Sequence, residues 1–157
     1  MVIRFRRWIK ALEDGTLEVR LNGRERDVLR NLAGELGQML AEPSDPSLRR
    51  LFPPGYSDDA VREAGYQMMK GDELRQRHLA AAEALGASAD ADRLDPEQAT
   101  AWLQAINSVR LVLGSRLGIE EDGYDMPISR GDPDLPLWAV FDFLGELLND
   151  LVVAMSI

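Results

Sequence analysis

Arg110 and the acids downstream of it are the residues whose types and spacing most directly raise chemistry. Leu103, Asn107, Arg110 and Gly114 recur at the three-and-four spacing of one helical face. Asp142, Glu146, Asn149 and Asp150 recur at helical spacing on a later segment. A guanidinium presents fixed donors that fit a carboxylate or phosphate in bidentate fashion. The pattern therefore predicts a pair between Arg110 and one of these carboxylates, within the fold or across a dimer interface. The other reading is a binding pocket around Asn107, Arg110, Asp142 and Glu146.

The remaining reactive types are sparse. His78, in Arg75-Gln76-Arg77-His78, is the one histidine of the chain. It sits in a charged helical stretch with no sequence-local nucleophile, which favours a surface or helix-end role over a general base. A multi-histidine metal site is excluded. Gly114-Ser115-Arg116-Leu117-Gly118 holds a serine misplaced for the hydrolase nucleophile turn. Gly114 is expected to admit a close neighbouring backbone, and Gly118 to end the helix. Neither a phosphate-binding glycine loop nor a dinucleotide fingerprint is present. The acids Asp90, Asp92 and Asp95, and Glu120, Glu121, Asp122 and Asp125, lack calcium-loop spacing and read as solvated loop acids. No catalytic residue, metal or cofactor is expected. Proton chemistry by carboxylates alone is the one enzymatic reading left open.

A second surface is cationic. Arg4, Arg6, Trp8 and Lys10 alternate with Ile3, Phe5 and Ile9, and Arg20 and Glu18 lie on a matching second segment. A basic ribbon with an exposed aromatic can hold phosphates and stack a base. Cross-strand pairing of the arginines with Glu18 explains the same residues without nucleic acid.

These side chains need elements to hold them. Residues 1–21 read as a β-hairpin turning at Asp14-Gly15, where a tight turn demands positive φ. Asn22 and Glu25 form a capping-box signal for a helix with Val28, Leu29, Leu32, Leu36 and Leu40 on one face, ended by Pro43. A Pro-rich loop follows. Ser57 is expected to cap a short helix with Val61, Tyr66 and Met69, which Gly71 separates from a helix running to Gly86. Residues 87–94 read as a polar, small-residue linker. Asp95-Pro96-Glu97-Gln98 opens the next helix with an N-cap, a first-turn proline and a capping box. An acidic loop then leads to a last helix that is apolar almost all round, either central to the core or half of an interface. Trp138, Phe141, Leu144, Leu148 and Leu151 are its candidate interface residues.

The fold expectation is thus mainly α, one domain over 1–157: a β-hairpin (1–21) packed on a bundle of about five helices (22–157). A length of 157 residues with 45% apolar and 29% charged residues suits one soluble domain. The net charge of −9 is uneven, with ten basic against eight acidic residues in positions 1–50 and eight against nineteen beyond. The acidic bulk repels phosphate backbones and membrane surfaces. The absence of cysteine removes disulfide, thiolate and Cys-zinc chemistry. No signal-peptide run opens the chain, and Asp142, Glu146, Asn149 and Asp150 interrupt its most apolar stretch, so a cytoplasmic location off the membrane is expected.

The stretch from Ala101 to Ile119, carrying Trp102, Asn107, Arg110, Gly114 and Gly118, resembles the signature helix of an actinobacterial family, the uncharacterised domain numbered two-thousand-and-seventeen. The opening strand, the Glu25–Leu40 helix, the Tyr66, Leu74 and Arg77 region and the closing Leu- and Trp-rich segment are similar in order. The resemblance implies a gene beside an adaptor of the Clp protease and beside sulfur-carrier genes of cysteine synthesis. For some members it implies transcriptional regulation under oxidative stress. This chain departs from any thiol-sensing version, having no cysteine. No catalytic residues carry over. The leading expectation is a non-enzymatic regulatory or protein-interaction module, homodimeric through the Trp138–Val152 helix or bound to another protein. Nucleic-acid binding through the hairpin is second and a carboxylate enzyme third.

Overall fold

The computed structural model describes residues 7–42, 44–53, 59–119 and 134–157. The chain is mainly helical, with a small three-stranded antiparallel sheet packed on the helices. Strand β1 (Ile9–Ala11) pairs with β2 (Leu17–Val19), Ile9 opposite Val19, and Gly15 turns between them at φ 88°. Alternation sends Ile9, Leu17 and Val19 into the core and Lys10 and Glu18 outward.

Helix α1 (Gly23–Ala41) starts at the expected capping box: Asn22 accepts from the Glu25 backbone, and Glu25 accepts from the Asn22 backbone. A 3-10 helix, Pro46–Leu51, stands inside what reads in sequence as a Pro-rich loop, and buries Leu48 and Leu51. Helix α2 (Ala60–Ser88) is continuous and capped by Asp59, whereas the sequence predicts two helices broken at Gly71 and stopped at Gly86. Both glycines stay out of the positive-φ region. A helical glycine costs only about 1 kcal/mol relative to alanine, too little by itself to break a helix that continues on both sides.

The expected linker at 87–94 is likewise replaced. Ser88 belongs to α2, Ala89 is buried, and Arg93–Leu94 form β3, which pairs with β2. Arg26 holds this junction. Its Nε donates to the Leu21 carbonyl (3.0 Å), Nη1 to those of Ala89 (3.1 Å) and Ala91 (2.7 Å), and Nη2 to that of Val19 (3.3 Å). One cation thus ties β2, α1 and the end of α2 together.

Helix α3 (Pro96–Arg116) begins with the Asp95–Gln98 capping box. It ends in a Schellman motif, with Gly118 at φ 77°, Ile119 N–H on the Gly114 carbonyl and Gly118 N–H on that of Ser115. Trp102 is fully buried, and its indole donates to Ser88 Oγ at 2.7 Å. Helix α4 (Leu135–Met155) closes the fold. Trp138, Phe141, Leu144, Leu147 and Leu151 all face the chain's own core, which runs continuously from the sheet through the helices.

Candidate functional site

Three regions can be built from these elements: the groove at Arg110, the outer face of the sheet and the first half of α2.

Arg110 projects from α3 towards α4. Its guanidinium carbon lies 4.0 Å from the centre of the Phe141 ring, and its plane rests on Gly145. A Cβ at position 145 would come within 3.1 Å of Nε, so the glycine makes room for the arginine. Buried Nε has no hydrogen-bond partner among the described residues. Asp142, Glu146 and Asn149 line the same open groove of ≈ 620 Å³. Among the described residues of one copy, the guanidinium's contacts run to Phe141 and Gly145, with no ion pair to Asp142, Glu146 or Asp150. Asn107 is exposed. Asp150 is buried and used elsewhere, accepting the Trp8 backbone N–H at 2.9 Å, which fastens α4 to the start of β1. Gly114 faces side chains, Arg50 and Phe141, where the sequence reading expects a backbone.

On the sheet, Lys10, Glu18 and Arg93 are registered in a row across β1, β2 and β3. Arg20 donates to Glu18 at 2.5 Å, and that bond, with Lys10 and Arg93 nearby, holds the Glu18 carboxyl below its ordinary range. Trp8 does not stand out as a stacking platform: it is half-buried, edge-on to Phe143 with ring centres 5.2 Å apart. Arg4 and Arg6 lie outside the described residues.

His78 departs from the surface role. It is half-buried, its Nε2 donates to the Leu51 carbonyl at 3.0 Å, and Nδ1 stands 3.4 Å from Ser108 Oγ. Phe52 packs edge-on against it. The Leu51 carbonyl selects the tautomer that leaves Nδ1 as acceptor. Ser108 is only 4% exposed, so this Ser–His contact braces α2, α3 and the 3-10 helix and offers no reacting oxygen to a substrate. The acids Asp90, Asp92 and Asp95 have separate structural uses, pairing with Arg30 and Arg26 and capping α3. The second acidic cluster, from Glu120 to Asp125, lies outside the described residues. Among the described residues, no group of three or more His, Asp or Glu side chains is arranged to hold a metal.

The region that sequence reasoning missed is the first half of α2. Helices α1 and α2 run antiparallel: Gly86 packs at Ala33, Gly37 at Leu79, and Arg75 reaches the Leu40 carbonyl. Residues 60–74 therefore run about 22 Å past the end of α1, at 1.5 Å per residue. The buried residues of α2 are Ala81, Ala82, Leu85 and Ser88, all in its last turns. Val61 is 83% exposed, Met68 85% and Met69 78%. Val61, Ala64, Gly65 and Met68 follow the i, i+3, i+4, i+7 spacing of one apolar stripe.

Eighteen residues make five helical turns, so Val61, Ala64 and Met68 point the same way as Leu79, Ala82 and Gly86. Those three face α1. The stripe is the α1-packing face of α2 continued beyond the point where α1 stops. The usable signal in sequence was this shared azimuth, Val61 with Leu79 and Met68 with Gly86.

These features define a mainly helical domain with a sheet-capped core, a mixed-charge groove and an overhanging helix. The chain belongs to the family described as Domain of unknown function (DUF2017), which it matches over residues 3–155. No curated protein and no solved structure matches it. Among the described residues, no helix is long and apolar enough to cross a membrane.

Proposed function

We propose that this protein is a non-enzymatic protein-interaction module, acting in regulation by docking a protein partner on the overhanging half of α2. The observation that carries the reading is the solvent-facing apolar stripe of Val61, Ala64, Gly65 and Met68. A helix face of this pattern is ordinarily covered by another element. A large unbranched methionine suits a surface that adapts to a partner helix. Of the homodimer face expected through Trp138, Phe141, Leu144, Leu148 and Leu151, four side chains are buried inside one copy and Leu148 is half-buried, which favours α2 over α4 as the docking face.

The alternatives are less well supported. A carboxylate enzyme would rely on Asp142 and Glu146, which sit exposed on successive turns of one helix, on one side of an open groove. Acid and base roles need carboxylates in contrasting environments about a substrate. A nucleic-acid surface on the sheet would have Glu18 at the centre of its cations and Trp8 packed on Phe143. Regulation linked to stress or cysteine supply, which the family resemblance implies, is compatible with a docking module. It requires no thiol in this chain.

A photo-crosslinking side chain at Met68, in living cells, tests the reading against the same group at exposed Asn31 on α1. A discrete protein adduct at position 68, self or foreign, is the expected result. Yields at position 68 no higher than at position 31 would overturn it.

A further inference from the structure

We propose that the Arg110 groove is a binding site for a small zwitterion, an α-amino acid with an apolar side chain. The groove's residues belong to α3 and α4 and none to α2. The proposal therefore stands or falls independently of the docking reading.

Arg110 is held by contacts that leave its charge unanswered. Phe141 takes a face of the guanidinium at 4.0 Å. Gly145 admits it against α4, where a Cβ would stand 3.1 Å from Nε and 3.2 Å from Nη2. A ring face and an absent side chain fix the orientation of the fork but offer no acceptor. Among the described residues Arg110 has no ion pair, and buried Nε has no hydrogen bond. Buried polar groups in folded proteins are nearly always matched, so an unmatched one beside a groove points to a ligand. A guanidinium that lines an open groove of ≈ 620 Å³ suits a carboxylate.

The other residues of the groove choose among anions. Successive helical residues are about 100° apart. On α4 this puts Glu146 to one side of Gly145, Leu148 and Val152 to the other, and Asn149 between. Glu146 is exposed and has no ion pair among the described residues. Asp142 adds a second carboxylate on the acidic side. Leu148 is half-buried and Val152 is 48% exposed, so an apolar wall stands open beside the cation. A phosphate would be drawn by Arg110 and repelled by the acids. A simple cation would be repelled by Arg110. A fatty carboxylate would use the arginine and the wall and leave Glu146 unanswered. An α-amino acid matches all three: its carboxylate meets Arg110, its ammonium Glu146, and its side chain Leu148 and Val152. These groups branch from one carbon in the ligand, as their receptors are arranged about Gly145. Val152 lies about 10 Å along the axis from Gly145, which gives the wall length for a leucine, methionine or phenylalanine side chain.

NMR titration of the purified protein with L-leucine, L-methionine and L-phenylalanine tests the proposal. Beside each go its N-acetyl form, which lacks the ammonium, and its amide, which lacks the carboxylate, together with inorganic phosphate. At least one amino acid should bind saturably at the Gly145 and Glu146 amides, with a dissociation constant below about 10 mM. Both blocked forms of it should bind at least about ten-fold more weakly, as should the free amino acid to Arg110→Met. Glu146→Gln, at an exposed position, should erase the preference for the free over the N-acetylated ligand. Circular dichroism of both variants should match wild type. If Arg110→Met does not fold, the Glu146→Gln comparison decides alone.

No saturable binding of any of the three amino acids by about 10 mM would overturn the proposal. So would binding indifferent to Arg110→Met, or a preference for the free ligand that survives Glu146→Gln. Tighter binding of the N-acetyl form would overturn it in favour of a peptide carboxyl terminus. Phosphate as the tightest ligand would overturn it in favour of a simple anion.

Discussion

Helix α2 is one element with two environments. Its second half lies against α1 and α3, with Ala81, Ala82 and Leu85 buried and Ser88 accepting the Trp102 indole. Its first half carries the same azimuthal pattern of apolar residues into solvent. Both halves have apolar residues at helical spacing, but the second is the more apolar, with Glu83 the one charge between Leu79 and Ser88. The difference lies in α1, nineteen residues long against twenty-nine in α2. Helical periodicity therefore identifies a face that needs covering. The lengths of neighbouring elements decide whether the chain itself covers it.

Substitution in the covered half gives the largest expected effect. Leu85 is 1% exposed, and Leu85→Ala removes a full side chain and leaves a cavity. The expected loss is about 2–5 kcal/mol, read from urea unfolding. A loss below about 1 kcal/mol would mean that the covered half is as loosely held as the overhang, and the contrast between the halves would disappear.

The anchor at the covered end comes next. Arg26 links the carbonyls of Ala89 and Ala91, just past α2, to those of Val19 and Leu21. Arg26→Met keeps the packing stem and removes the donors, leaving these acceptors to seek water at a half-buried site. Charged hydrogen bonds contribute about 1.5–3 kcal/mol each but do not add simply. The expected net loss is about 2–3 kcal/mol. Amide exchange should accelerate at β3 and the last turn of α2, while the first turns of α2 exchange as in wild type.

Much of this arrangement was legible before the structure. Asn22 with Glu25, and Asp95 with Gln98, locate two helix starts because a capping box is a contact between residues three apart. Asp14-Gly15 locates the turn for the same local reason. What was hidden is non-local. Strand β3 is two residues long and exists only because Leu94 meets Leu17. The brace from His78 to Ser108 spans thirty residues, and Arg26 gathers carbonyls up to sixty-five residues away. Gly71 looked like a breaker because its local cost is real, but about 1 kcal/mol is too little to break a helix that continues on both sides. For the groove, spacing drew attention to Arg110, Asp142 and Glu146, and these three line one groove. It could not foresee that Gly145 and Phe141 would receive the guanidinium.

Gly65→Ala gives the smallest change in stability and the sharpest test of the comparison. In the overhang the added methyl meets nothing within 4 Å, and position 65 is ordinary right-handed helix. Replacing a helix-interior glycine by alanine should therefore stabilise the folded monomer by about 0.5–1 kcal/mol, chiefly by restricting the unfolded chain. Thermal unfolding of dilute purified protein isolates that term, since a bound partner would otherwise add stability by mass action. The same methyl stands on the face proposed to dock a partner, so the yield of the Met68 crosslink should fall. The two measurements are expected to move in opposite directions. A loss of monomer stability would mean that the chain's own residues cover this part of α2, and the division into covered and uncovered halves would have to be redrawn.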